Sequence, residues 1–169
     1  MPISREAALA LGVLAAGPAA AHVTLEVPQA PANSTYRAVF RVPHGCEGAA
    51  MTRLVVRLPE GVTDARPMPK PGWTLVTTPR EGAPAPDGHG AVRELAEIAW
   101  EGGRLEDSHY DEFIIRLRLP NRPGELLYIP VVQHCEGERT SAWVEIPEPG
   151  RRVSEYRYLA PAVRLLPRS

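Results

Sequence analysis

The sequence predicts an all-β protein, an immunoglobulin-like antiparallel β-sandwich of about seven to nine strands preceded by a cleaved signal peptide. Runs in which apolar and polar residues alternate recur along the chain, and helix-type apolar spacing is nearly absent after the first 21 residues. The 19 prolines and 14 glycines divide the chain into short runs. Turn-type segments such as PEGV and EPGRR separate these runs, as they do between the strands of a sandwich.

The first 21 residues have the features of a secretory signal. Arg5 supplies a positive charge, residues 7–17 are apolar, and Ala19, Ala20 and Ala21 fit the small-residue pattern at a cleavage site. The apolar run is shorter than the roughly 20 residues that span a bilayer as a helix, although a tail or short anchor is the alternative. We therefore expect a periplasmic or secreted protein with one domain, residues 22–169, and no stable membrane anchor.

Alternation is clearest in three segments, residues 34–42, 52–58 and 112–119. In each segment one face is apolar, and the opposite face carries most of the arginines, which is typical of half-buried antiparallel strands. The predicted core-facing residues are Tyr36, Ala38, Phe40, Val42, Leu54, Val56, Leu58, Phe113, Ile115, Leu117 and Leu119.

Six further segments are strand candidates: residues 22–28, 72–78, 92–100, 125–133, 140–147 and 155–166, of which the last could instead be a short helix. In the first, the apolar face is expected to be Val23, Leu25 and Val27. In segment 140–147 the apolar face is expected to be Ala142, Val144 and Ile146, which would direct Trp143 away from the core. Residues 80–90 are rich in proline, glycine and alanine and are expected to form an exposed loop.

Charge and motifs exclude several classes of function. The formal net charge is −1 and there is no basic block, which argues against nucleic acid as a partner. The chain has no G-x-S-x-G element, no P-loop and no dinucleotide-binding glycine pattern, so we expect no enzyme of those classes.

Two cysteines, Cys46 and Cys135, are present. In an exported protein such a pair most simply forms one disulfide. The alternative is that the free thiols, with His44 and His134 nearby in sequence, hold zinc or Cu(I).

Cleavage after Ala21 would make His22 the first residue of the mature chain. Its α-amino nitrogen and ring Nδ1 could then chelate one ion, and two nitrogen donors suit Cu(II). The alternative is that a histidine follows the cleavage site by chance. A further ligand must come from another strand, and strand parity directs His22, Glu112 and Trp143 away from the predicted core.

Several motifs in order, among them AHVTLEVPQAPANSTYRAVFRVPHGC, PMPKPGW, YDEFIIRLRLP, LYIPVVQHCEG and WVEIP, resemble the YcnI-like copper-binding domain family over essentially all of residues 22–169. The resemblance implies a secreted or periplasmic β-sandwich that binds Cu(II) through a single-histidine brace at His22. It also implies a carboxylate at Glu112, with Asp111 as the neighbouring alternative, and a tryptophan at Trp143, with Trp73 as the competing one.

The expected function is therefore copper trafficking or homeostasis, in which the metal passes to a copper chaperone or a membrane copper importer. One alternative is a copper-dependent redox enzyme, which would need a second histidine beside the metal. The candidates are His44, His89, His109 and His134. Histidines in such positions are more often structural or exposed than metal ligands. The other alternative is a metal-free interaction domain stabilised by the disulfide.

Overall fold

The computed structural model describes residues 22–81 and 94–168. The predicted signal segment, residues 1–21, lies outside the described residues, and so does most of the predicted loop, including His89. Within the described ranges there is no α-helix, and no helix there is long and apolar enough to cross a membrane.

The described residues form twelve strands and two short 3-10 turns, Glu136–Glu138 and Val153–Glu155. In chain order the strands are β1 (Thr24–Leu25), β2 (Gln29–Pro31), β3 (Thr35–Val42), β4 (Met51–Arg57), β5 (Thr63–Pro67), β6 (Thr74–Pro79), β7 (Leu95–Leu105), β8 (Asp111–Arg118), β9 (Leu126–Tyr128), β10 (Val131–Cys135), β11 (Thr140–Trp143) and β12 (Ala162–Leu166).

The strands form three sheets. One has four strands in the order β1-β3-β8-β5, one has five in the order β11-β10-β4-β7-β6, and the smallest has the order β2-β12-β9. All pairings are antiparallel except that between β2 and β12. The predicted all-β sandwich is confirmed, and β1 and β11 each lie at the edge of a sheet.

The core lies between the two large sheets. The three segments with the clearest alternation become β3, β4 and β8, and the predicted core-facing residues of all three are buried in one apolar cluster. Phe40, Trp100 and Phe113 are the largest aromatic side chains among those that are almost fully buried. Alternation predicted these faces because every second residue of a strand points to the same side.

The first predicted strand is shorter than expected. Val23 and Leu25 are buried as predicted, but Val27 is 47% exposed, so its assignment to the core was wrong. The chain leaves the sheet after β1, and the Tyr36 hydroxyl donates a hydrogen bond to the Val27 carbonyl at 2.5 Å. Burial raises the pKa of Tyr36 to about 12, and the charge of Glu26 adds to the shift.

The predicted strand 125–133 is two strands. Around Pro130 the chain passes from β9 in the smallest sheet to β10 in the five-stranded sheet. Proline lacks the N–H that a continuous ladder would need, which suits such a transition. At the C-terminus, residues 162–166 form β12, so the helical alternative is wrong for those residues.

Cys46 and Cys135 form the predicted disulfide. Both are buried, and they connect the loop between β3 and β4 to the end of β10. The alternative in which free thiols bind a metal is therefore wrong for this structure.

Candidate functional site

His22 lies two residues before β1, which is at the edge of the four-stranded sheet. It is half-buried, and the next residue, Val23, is anchored in the core. The ring Nε2 of His22 lies 3.1 Å from the backbone carbonyl oxygen of Arg157. A carbonyl can only accept, so Nε2 must carry the proton in this contact. In the neutral ring the lone pair is then on Nδ1.

The carbonyl of Arg157 is held in place by the segment around it. Glu145 pairs with Leu159 in an isolated bridge, and its backbone N–H donates to the carbonyl of Tyr158 at 3.0 Å. The Glu145 carboxylate also accepts a hydrogen bond from the backbone N–H of Tyr158. The acceptor that fixes the His22 tautomer is therefore part of an ordered backbone.

Trp143 is in contact with the His22 ring. Their ring centroids are 4.9 Å apart with the planes tilted by 51°, and the Tyr158 ring centroid is 5.6 Å from that of Trp143. Trp143 ends β11 at the edge of the five-stranded sheet. The site therefore forms where the edges of the two large sheets meet, and it brings together two of the three residues that the sequence predicts.

The predicted orientation of Trp143 is wrong. Its side chain is in the main core cluster and only 4% exposed, whereas Ile146 is 51% exposed. Ala142 and Val144 pack against Val55, Ala99 and Val132 in a small cluster separate from the main core. Both faces of this segment carry apolar residues, and burying the large indole removes more apolar surface from water than burying an alanine.

Gln133 is a site residue that the sequence analysis missed. It is 1% exposed, and its Oε1 accepts a hydrogen bond of 2.7 Å from Nε1 of Trp143. Its Nε2 donates to the carbonyl of His44 at 2.9 Å. The alternation of the sequence could have identified it, because Gln133 lies on the same face of its strand as the core-facing residues Val131 and Cys135.

Glu112 lies on the outer face of the four-stranded sheet. In the register across the sheet, Thr24 of β1 is opposite Arg41 of β3, which is opposite Glu112 of β8. The carboxylate of Glu112 accepts a hydrogen bond from the Tyr110 hydroxyl and lies 3.5 Å from Nε of Arg41. Its outward orientation is as predicted, and its hydrogen bond and ion pair join it to Tyr110 and Arg41.

Asp111, the neighbouring alternative, forms an ion pair of 2.6 Å with Lys70. Trp73, the competing tryptophan, packs against Phe113, with the ring centroids 5.1 Å apart and the ring planes perpendicular. Within residues 22–81 and 94–168, no group of three or more His, Cys, Asp and Glu side chains is arranged to hold a metal.

The other described histidines have local contacts of their own. Nδ1 of His44 donates to the carbonyl of Gly45 at 2.6 Å, and the backbone N–H of His109 donates to the carbonyl of Glu106. Burial lowers the pKa of His134, and the nearby Arg53 guanidinium lowers it further.

An apolar groove of about 640 Å³ adjoins His22. Its walls come from the N-terminal segment, from β9 and from the segment that precedes β12. The side chains that form it are mainly apolar or aromatic and include Leu25, Leu126, Tyr128, Val153, Tyr156 and Leu159.

Comparison with known proteins gives a family and a structural relative. The family called domain of unknown function DUF1775 matches residues 22–165. The crystal structure of an uncharacterized protein from Nocardia farcinica, described as an immunoglobulin-like fold, is similar, with a TM-score of 0.65 and 28% identity. The match covers 86% of this chain and 98% of that chain. No curated protein matches. The chain thus belongs to the DUF1775 family.

Proposed function

We propose that this chain is an exported Cu(II)-binding protein of copper trafficking or homeostasis, whose mature N-terminus is His22. The metal would be held by the α-amino nitrogen and Nδ1 of His22, a single-histidine brace, as the resemblance to the YcnI-like copper-binding domains implies. The observation that carries the proposal is the hydrogen bond from His22 Nε2 to the Arg157 carbonyl.

That hydrogen bond supports the brace because it selects the nitrogen that a chelate needs. With the proton on Nε2, the lone pair of the neutral ring is on Nδ1, which can close a six-membered chelate with the amine of the same residue. Metal-binding histidines usually donate their second ring N–H to a carbonyl or carboxylate, which fixes the ring orientation. Residue 22 is also the first residue of the family match.

Trp143 supports the proposal as a shield rather than as a ligand. Its Nε1–H is donated to Gln133, and its ring lies beside that of His22. A large ring held in this way limits the space on one side of the histidine and leaves other coordination positions open. Open positions suit transfer of the metal to a copper chaperone or a membrane copper importer.

Glu112 is the proposed carboxylate ligand. Binding would require it to exchange its contacts with Tyr110 and Arg41 for the metal. A Glu112→Gln variant tests this assignment separately. The loss of a ligand would weaken Cu(II) affinity and change the spectrum, whereas unchanged values would remove Glu112 from the site and leave His22 in it.

The brace is tested with two forms of residues 22–169, one beginning at His22 and one with a methionine added before it. Both are titrated with Cu(II) and followed by electron paramagnetic resonance. The intact mass of the exported protein is measured separately by mass spectrometry. We expect a mass that corresponds to a start at His22 and nitrogen hyperfine structure that changes when methionine precedes it. A His109→Ala variant is the control and should give the parent spectrum.

Identical spectra from the two forms would contradict the brace and favour the metal-free interaction domain.

Cu(II) bound by the brace should also quench the fluorescence of Trp143, so a Trp143→Phe variant should lose most of the quenching. For the redox-enzyme alternative, the test is copper-dependent turnover with ascorbate or peroxide.

A further inference from the structure

Three arginines lie directly opposite one another across the outer face of the four-stranded sheet. Arg37 of β3 is opposite Arg116 of β8, and Arg116 is opposite Arg66 of β5. Their side chains are 60%, 51% and 56% exposed, respectively. Like charges directly opposite each other on a sheet are destabilising. We call these three residues the arginine row.

A β-bulge in β5 completes the arginine row. Thr63 pairs with Arg118 and Arg66 pairs with Arg116, so one extra residue lies between the two pairs on β5. Without the bulge, Ala65 would face Arg116, but Ala65 is buried at 5% exposure. Asp64 within the bulge has φ of 49°, a conformation uncommon for residues other than glycine. Bulges often redirect a side chain near a functional site.

The Asp64 carboxylate orients two of the three guanidinium groups. Oδ1 accepts from Nε of Arg66 at 3.1 Å, and Oδ2 accepts from a terminal nitrogen of Arg116 at 2.9 Å. Burial raises the pKa of Asp64, but the hydrogen bonds and charges of the two arginines outweigh it, and the pKa lies below its usual value. Each guanidinium has five N–H donors, of which these contacts use one.

A cavity of about 480 Å³ lies at the arginine row. It is lined by Arg37, Arg66 and Arg116 together with Thr35, Met68 and Ile114. The cavity thus combines cationic walls, a hydroxyl group and an apolar surface.

The charge of this outer face is positive although the whole chain is nearly neutral. The ion pairs of the face join Arg37, Arg41, Arg66 and Arg116 to the carboxylates Glu26, Asp64 and Glu112, and Arg118 donates to Asn33. The arginines of this set outnumber its carboxylates by two, so a dianion would balance the charge.

We propose that the arginine row binds a phosphate group, either of a small soluble phosphate or of a phospholipid headgroup. Guanidinium groups match the oxygens of phosphate with paired, charge-assisted hydrogen bonds, which a lysine ammonium does not. Three of them at neighbouring register positions surround one anion from several sides. Binding of the anion offsets the repulsion between the arginines. This site is separate from the proposed copper site and does not depend on it.

The test uses the mature chain, residues 22–169, without copper, in a buffer of low ionic strength that contains no phosphate. Inorganic phosphate is titrated by calorimetry, with sodium chloride of equal ionic strength as the reference. In the second arm, the protein is sedimented with vesicles of phosphatidylcholine, with and without phosphatidylglycerol. The variants are Arg116→Gln and Arg66→Gln, and Arg53→Gln, on the other large sheet, is the matched control.

We expect binding in at least one arm and a loss of about tenfold or more in each arginine-row variant, with Arg53→Gln close to the parent. Binding of free phosphate identifies a soluble ligand, and binding only to vesicles that contain phosphatidylglycerol identifies a headgroup. No binding in either arm, or an equal loss in Arg53→Gln, overturns the proposal. Should Arg116→Gln fail to fold, as judged by circular dichroism, Arg37→Gln replaces it.

Discussion

The His22 ring is held on two sides, by the carbonyl of Arg157 and by the indole of Trp143. The first contact sets the tautomer and the second limits rotation of the ring. Both partners are more than 100 residues away in the sequence, so the orientation of His22 is a property of the folded chain.

Gln133 is the residue that fixes the indole. It satisfies the Trp143 N–H and the His44 carbonyl in a part of the core that is otherwise apolar. A buried polar group without a partner costs free energy, so the three groups depend on one another.

Replacement of Gln133 by leucine is expected to lower the free energy of unfolding by about 1 to 3 kcal/mol for each buried group left without a partner. The measurement is urea denaturation followed by circular dichroism. Gln29→Leu is the matched control, because Gln29 is exposed and should change stability by less than about 0.5 kcal/mol. Equal stability of the two variants would contradict the role given to Gln133.

At the scale of single elements, the long strand β7 shows how one glycine admits a large ring. A Cβ atom on Gly103 would lie 2.1 Å from Cε2 of Trp73, so the indole occupies the place of a side chain. Its neighbour Gly102 has φ of +76° and nothing within 4 Å of an added Cβ. Glycine is therefore favoured at the two positions for different physical reasons, the backbone conformation at Gly102 and the space occupied by the Trp73 indole at Gly103.

Substitution of each glycine by alanine separates those reasons. Gly102→Ala should cost about 1 to 2 kcal/mol through backbone strain and leave Trp73 in place. Gly103→Ala should cost about 1 to 3 kcal/mol and also displace the indole. Urea denaturation gives the free energies, and near-ultraviolet circular dichroism reports the position of Trp73. An unchanged spectrum of Gly103→Ala would show that the position of the Trp73 indole does not depend on a glycine at residue 103.

The sheet edges explain why the candidate site is where it is. β1 and β11 are edge strands of different sheets; His22 precedes β1 by two residues, and Trp143 is the last residue of β11. A contact between two sheet edges needs no interruption of either hydrogen-bonded ladder. The strand alternation alone contains no information about which edges meet.

At the scale of the whole molecule, the disulfide closes a loop with a sequence separation of 89 residues. It joins the segment that leaves β3 to the end of β10, in the sheet opposite. Its main effect is to restrict the unfolded chain, and this effect grows slowly with loop length.

Removal of the disulfide by the double substitution of Cys46 and Cys135 with serine is expected to destabilise the protein by about 4 to 5 kcal/mol, from the loss of loop-closure entropy. Urea denaturation of the parent and the variant measures the difference. The parent in reductant is a second comparison and should match the variant. A difference below about 1 kcal/mol would show that the crosslink contributes little.

The sequence by itself determined the faces of β3, β4 and β8, and it favoured a disulfide between the two cysteines, which the structure confirms. In each of these strands one face is apolar and the other is mostly charged, so only the apolar face can be buried in the core. The same reasoning failed for Trp143, where both parities are apolar, and for Val27, where the strand is too short to keep its register with the sheet. The burial of Gln133 follows from the same alternation, because Gln133 has the strand parity of the core residues Val131 and Cys135.

Only the tertiary structure decided which residues meet. The contact of His22 with Arg157, the hydrogen bond between Gln133 and Trp143, and the register of the arginine row all join distant segments. Alternation fixes the side of a strand on which a residue lies, because that depends only on local backbone geometry. It does not fix the neighbour across a sheet or between sheets, which depends on strand order, bulges and the packing of the whole core.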